Sequence, residues 1–172
     1  MLSSLGFLIF AIPVAVIALC IWRQAGSPVL FYQARIGQKG DTFQIKKFRT
    51  MNSQGQVFSS FAQGLRNTAM DELPQLFHIL RGEMSFVGPR PLIPEELLEI
   101  RQIPNGSRRF LVKPGLAGLA QINAQKIPSL AERSNWDLLY VDQYSLLLDI
   151  RIVMKSIWVT LRGNWEGPGA HS

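Results

Sequence analysis

The chain has 172 residues, 47% of them hydrophobic, which is enough for one domain with a real core and leaves little room for a second. Its formal net charge of +6 and pI near 9.9 require an anionic partner, with nucleic acid, an acidic bilayer surface and phosphorylated substrates as the candidates. Cys20 is the single cysteine, which excludes an intrachain disulfide framework and a Cys-rich metal site and fits a reducing compartment.

Leu5 to Trp22 contains no charged residue over eighteen positions, and as a helix it measures roughly 27 Å against a hydrocarbon thickness of about 30 Å. The segment therefore belongs to a membrane. It lacks the charged n-region and clear cleavage site of a signal peptide. Pro13, at its middle, removes a backbone hydrogen bond and predicts a kink. Two geometries follow: a kinked span with Met1 on the far side, or a re-entrant helix that returns both ends to one face. Trp22 and Arg23 mark the interfacial exit.

Gly26-Ser27-Pro28 ends that helix and divides a membrane anchor, residues 1–27, from the remainder of the chain, residues 28–172, expected at the membrane surface. Val29-Leu30-Phe31-Tyr32 and Phe43-Gln44-Ile45 predict two short strands of a hairpin around the turn from Gly37 to Asp41. Lys46-Lys47-Phe48-Arg49 sets three cations around one aromatic, as a phosphate-binding strand end or as a solvated basic edge. Asn52 to Gln63 is polar and predicts a mobile loop that covers a site.

Leu65 to Pro91 is the informative stretch. Asp71 and Glu72 are adjacent where an apolar segment begins, and Pro74 is tolerated only in a first helical turn, so Asp71 is expected at the N-cap. Ordinary capping explains both acids; so does a carboxylate nucleophile sharing free backbone N–H groups with a phosphate. Val87-Gly88-Pro89-Arg90-Pro91 brackets an arginine between two prolines and limits where its guanidinium points, which suits bidentate phosphate binding. A rigid surface turn with a solvated Arg90 is the alternative.

Pro94-Glu95-Glu96 opens a short surface helix. Arg101, Arg108, Arg109 and Lys113 cluster around Pro104-Asn105-Gly106, on lipid headgroups or as a solvated face. Pro114-Gly115-Leu116-Ala117-Gly118 is a nucleotide contact or a tight turn. Ser129-Leu130-Ala131-Glu132 is a capping box at the start of one helix, and Asp149 is expected to start another. In that second helix Ile150, Val153, Ile157 and Leu161 recur at helical spacing, facing either the core or the membrane interface. The tail from Gly163 is expected to be irregular. The fold class is α+β and mainly helical, with a small β-hairpin and interfacial amphipathic helices.

Taken in order, the apolar N-terminal segment, Gly26-Ser27-Pro28-Val29, Lys47-Phe48-Arg49-Thr50-Met51, Asp71-Glu72-Leu73-Pro74-Gln75-Leu76, Val87-Gly88-Pro89-Arg90-Pro91 and Pro114-Gly115-Leu116-Ala117-Gly118-Leu119-Ala120-Gln121 resemble the small monotopic bacterial phosphoglycosyl transferases. The resemblance implies transfer of a phosphosugar from a UDP-sugar to polyprenol (undecaprenyl) phosphate at the cytoplasmic face of the bacterial inner membrane, giving polyprenyl-diphosphate-sugar and UMP. This is the first membrane step of glycoconjugate assembly. It implies a ping-pong route with Asp71 as nucleophile and covalent phosphosugar carrier, Glu72 as its partner in the dyad, and Mg²⁺ at Asp71. Arg90, then Arg66, with Lys47 and Arg49, would hold substrate phosphates.

The resemblance also implies that the N-terminal helix is re-entrant and broken at Pro13, where Ile12-Pro13 stands for the family's Ser-Pro pair. The family's basic residues ahead of this helix are missing, with Met1 to Ser4 in their place. Asn123-Ala124-Gln125 replaces a glycine and arginine common in the family, with Lys126 nearby as a substitute. Anionic lipids and downstream glycosyltransferases are the expected partners. Nucleic acid is not, because no stacking aromatic series accompanies the charge. A membrane-bound UDP-sugar hydrolase and a non-enzymatic lipid-binding scaffold are the alternatives.

Overall fold

The computed structural model describes residues 2–123 and 129–162. Ala124, Gln125, Lys126 and the tail from Gly163 lie outside them. The chain is mainly helical with two small sheets, and its first helix, α1 (Leu2–Ala25), runs through Pro13 without a break. The break expected at Pro13 is thus not seen: α1 is one helix with Pro13 inside it. Among the described residues no helix is long and apolar enough to cross a membrane.

Gly26 ends α1 with a left-handed φ of 67° and returns its N–H to the Trp22 carbonyl at 2.9 Å, the glycine C-cap geometry that spares a Cβ clash. The C-terminal half of α1 docks by Ile17 and Ile21 against Phe48 and Leu65, with Val29, Leu30 and Leu73 around them. Ile12, Val16, Leu19 and Trp22 remain exposed on its other side.

Strands β1 (Leu30–Ile36) and β2 (Thr42–Phe48) form the expected antiparallel hairpin, pairing Leu30 with Phe48 and Ile36 with Thr42. Each is longer than the apolar stretches suggested, because Arg35, Lys46 and Lys47 continue the ladder. Residues 60–63, expected in a loop, instead begin helix α2 (Ser60–Asn67), whose Ser59 N-cap hydroxyl accepts from the Ala62 N–H at 3.1 Å. A serine cap outweighed the polar composition.

After the 3-10 turn Met70–Gln75 come α3 (Leu76–Leu80) and β3 (Ser85–Val87). Then α4 (Glu96–Gln102) and the 3-10 turn Gly106–Leu111 lead to β4 (Gly115–Ala117) and α5 (Leu119–Asn123). Strands β3 and β4 are parallel, a pairing that three-residue segments do not announce in sequence. A Cβ on Gly115 would lie 2.1 Å from the Gly88 nitrogen, and one on Gly118 2.5 Å from the Gly88 oxygen. The glycine-rich segment is therefore a close backbone contact beneath Val87-Gly88-Pro89.

Helix α6 (Leu130–Gln143) starts at the expected capping box of Ser129 and Glu132. Helix α7 (Leu146–Leu161) begins at Ser145, whose hydroxyl accepts from the Leu148 N–H; Asp149 lies in its first turn and does not start it. Tyr140 and Ile152 pack on Val87 and Ala117, while a third cluster joins Ile36, Leu92, Ile100 and Leu130. On α7, Leu146, Leu147, Ile150, Met154, Ile157, Trp158 and Leu161 are exposed, so its main apolar stripe is turned away from the core.

Candidate active site

The two acids sit in the 3-10 turn Met70–Gln75, not at the start of an α-helix. Asp71 is not the N-cap: Ala69 takes that position in the left-handed region, φ 52° and ψ 21°, with no side-chain cap. An alanine there costs roughly 1–2 kcal/mol. The Ala69 N–H donates to the Arg66 carbonyl and the Glu72 N–H donates to the Ala69 carbonyl, each at 3.1 Å. The chain thereby turns sharply from α2 into the acids. Asp71 is buried, 9% exposed, and the N-cap of α3 is Gln75.

Glu72, 12% exposed, pairs through Oε1 with the Lys47 ammonium and accepts from Arg90 Nη2 at 3.2 Å. Burial alone would push its carboxyl up, but Lys47 and Arg90, by charge and hydrogen bond, hold it down to about 2. Burial lowers the Lys47 ammonium against the pull of Glu72. Glu72 raises the Arg90 guanidinium against burial, although a guanidinium 39% exposed feels that partner through solvent screening.

Lys47, Glu72 and Arg90 line a small recess with Arg35, Ile45, Gln75, Pro91 and Gly115. Strand β2 supplies Lys47 and β1 supplies Arg35, whose guanidinium is lowered to about 10 by burial and then by Arg90. The hairpin thus faces the Gly-Pro-Arg-Pro turn across the acidic 3-10 turn. Lys47 and Arg90 pair with the Glu72 carboxylate and Arg35 lines the same recess, so cations outnumber the lining carboxylate and the recess attracts an added anion.

Of the residues expected in the site, Lys47, Glu72 and Arg90 are brought together in the recess, and Asp71 adjoins Glu72 in the same turn without lining it. Arg66 stands in the last turn of α2 and its Nη1 donates to Thr50 Oγ1 at 3.4 Å. Arg49 is turned elsewhere: its Nη2 donates to the carbonyls of Ala25 at 2.6 Å and Gly26 at 2.8 Å, closing the end of α1. The basic cluster around Pro104 also divides, because Arg108 pairs with Asp142 and Arg109 with Asp137. Asn123 caps its own helix on Leu119 and accepts from Lys155.

Sequence reasoning missed Arg35, Gln75 and the Arg109–Asp137 pair. Asp137 had a signal, since Ser134, Asp137, Tyr140 and Val141 form the buried face of α6 and one acid on such a face needs a buried cation.

No cluster of three or more His, Cys, Asp or Glu suited to a metal exists among the described residues. A single carboxylate, Asp71, beside a Glu72 already held by two cations, still fits Mg²⁺ in its usual mode, in which one or two carboxylates and substrate phosphates share the ion with water.

The bacterial sugar transferase family model matches residues 1–163. The uncharacterised sugar transferase EpsL of Bacillus subtilis is 38% identical over 142 residues, covering 77% of this chain and 69% of that protein. The UDP-glucose:undecaprenyl-phosphate glucose-1-phosphate transferase of Klebsiella pneumoniae is 33% identical over 91% of this chain and 37% of its own length. The UDP-galactose-lipid carrier transferase of Erwinia amylovora is 31% identical over 94% and 39%. The chain thus spans well under half of those two longer relatives. With a family match from residue 1 to 163 lying over the acidic turn and its cations, the chain belongs to the bacterial sugar transferase family and is a transferase enzyme of the phosphoglycosyl class.

Proposed function

We propose that the protein transfers a phosphosugar from a UDP-sugar to polyprenol phosphate by way of a covalent intermediate on Asp71. One observation carries this reading: a buried carboxylate, Asp71, stands next to Glu72 in a turn ringed by Lys47 and Arg90. A carboxylate that attacks an anion needs cations to offset the developing charge.

In the first step an Asp71 carboxylate oxygen bonds to the β-phosphorus, the bond from that phosphorus to the bridging oxygen breaks, and UMP departs with the electron pair. In the second a phosphate oxygen of the lipid bonds to the same phosphorus and Asp71 leaves as a carboxylate. Arg90 and Lys47 bind and orient the phosphoryl oxygens. Glu72 keeps those cations in place and orients the acidic turn. Mg²⁺, held by Asp71 and the substrate phosphates, supplies further charge neutralisation when bound.

The names of the relatives from Klebsiella pneumoniae and Erwinia amylovora support a UDP-sugar donor, the former also an undecaprenyl acceptor. The exposed apolar faces of α1 and α7 support residence on an anionic bilayer surface, here the cytoplasmic face of the bacterial inner membrane. Downstream glycosyltransferases would take the lipid-linked product.

The test is UMP release from a panel of UDP-sugars with Mg²⁺, with and without polyprenol phosphate. The transferase forms polyprenyl-diphosphate-sugar in step with UMP. A hydrolase releases free sugar phosphate whether or not the lipid is present, and that result overturns the acceptor assignment.

A further inference from the structure

Arg90 is held from behind. Pro89 and Pro91 remove two N–H donors from its turn, and the carbonyls there are collected by groups from four other segments. The Val87 carbonyl accepts from Tyr140 Oη at 3.4 Å and the Pro89 carbonyl from the Gly115 N–H at 2.9 Å. The Pro91 carbonyl accepts from Arg35 Nη1 at 3.0 Å. The carbonyl of Arg90 itself accepts from Arg109 Nη2 at 2.6 Å.

That same Arg109 nitrogen lies 3.0 Å from Asp137 Oδ2, and both side chains are 3% exposed. That nitrogen donates to the Arg90 carbonyl on one side, while Asp137 on α6 holds the guanidinium by charge. A buried ion pair is a weak source of stability, since a matched apolar pair does as well or better. Mere stability thus leaves the charge unexplained, whereas a guanidinium is needed to reach a carbonyl and a carboxylate at once.

We infer that the Asp137–Arg109 pair is a positioning device for Arg90, with α6 fixing Arg109 and Arg109 fixing the peptide from which the Arg90 guanidinium projects toward Glu72. Proline at both neighbours already restricts the backbone of Arg90; anchoring its carbonyl fixes the remaining rotation. The inference rests on the reading of Arg90 as a phosphate ligand. Arg109 and Asp137 do not line the recess and act only through Arg90.

The experiment compares UDP binding with Mg²⁺, by calorimetry on the full chain in detergent, for wild type, Arg90→Ala, the double variant Arg109→Met with Asp137→Leu, and the triple combination. The apolar pair is expected to keep the melting temperature while weakening UDP about tenfold, a mid-range effect for coupled neighbours. Adding Arg90→Ala to it should then weaken UDP little further. Wild-type affinity in the stable double variant, with Arg90→Ala clearly weaker, overturns the positioning role and leaves the phosphate role intact. Unchanged affinity in Arg90→Ala overturns the phosphate role itself. Should the double variant not fold, Asp137→Asn gives the same decision on its folded fraction: a several-fold loss supports the device and wild-type affinity contradicts it.

Discussion

Arg90 Nη2 stands 3.2 Å from Glu72 Oε1, so a carboxylate of the protein itself satisfies the guanidinium that the substrate phosphate is proposed to engage. Arg90 is also the more exposed partner, free to add a second acceptor on its fork. Arg90→Lys keeps the charge and loses the planar fork. Its KM for the UDP-sugar should rise about tenfold in a steady-state UMP-release assay, the size of a lost charge-assisted hydrogen bond, with a smaller change in kcat.

Glu72 fixes a pH dependence of stability. Its folded carboxyl is held at about 2, below the ordinary 4.5, by Lys47 and Arg90 against burial. Between those values the unfolded chain binds the extra proton, so this contribution is fully present above pH 4.5 and is lost as pH falls toward 2. Urea unfolding of wild type at several pH values should show this fall. Glu72→Gln should flatten it, and at neutral pH should cost about 3 kcal/mol by leaving Lys47 and Arg90 without their anion.

Gly115→Ala tests the backbone contact beneath the arginine turn. Its Cβ would meet the Gly88 nitrogen at 2.1 Å and the Ala117 oxygen at 2.6 Å, and neither is a flexible side-chain end. Displacement of β3 from β4 should cost about 3 kcal/mol, seen as a lowered melting temperature. The N–H of Gly115 that holds the Pro89 carbonyl moves with it, so UDP affinity should fall as well.

The exposed stripe on α7 should bind bilayer. Replacing Ile150 and Ile157 together by lysine removes apolar burial of about 1.5 kcal/mol or more at each position. Co-sedimentation with vesicles containing anionic lipid should drop at least tenfold. Unaltered sedimentation of the folded variant would assign the stripe to another contact.

The elements that were legible in sequence are those with strong local chemistry. The hairpin follows from β-branched and aromatic residues about a Gly-rich turn, and the start of α6 from the reciprocal Ser129 and Glu132 hydrogen bonds. The proximity of Lys47, Glu72 and Arg90 was expected only through resemblance, because contacts 18 and 25 residues apart in sequence leave no periodic trace. Arg49 misled because a cation beside Lys47 has the same composition signal whether it faces a phosphate or the carbonyls of Ala25 and Gly26. Asp71 was misplaced at an N-cap because the left-handed turn was made at Ala69, a residue type that rarely marks one. The α7 stripe was legible as amphipathic but not as outward-facing, since periodicity defines a face and not what covers it.

The central claim is that Asp71 carries the phosphosugar. The detergent-solubilised protein should be incubated with Mg²⁺ and each UDP-sugar without lipid acceptor, following UMP and intact mass beside Asp71→Asn. The account predicts, for one or a few sugars, about one UMP per chain, a mass increase equal to the phosphosugar, and loss of both in the variant. A folded wild type that forms lipid-linked product with acceptor present, yet never shows the adduct, or an Asp71→Asn variant that still shows it, would contradict the claim.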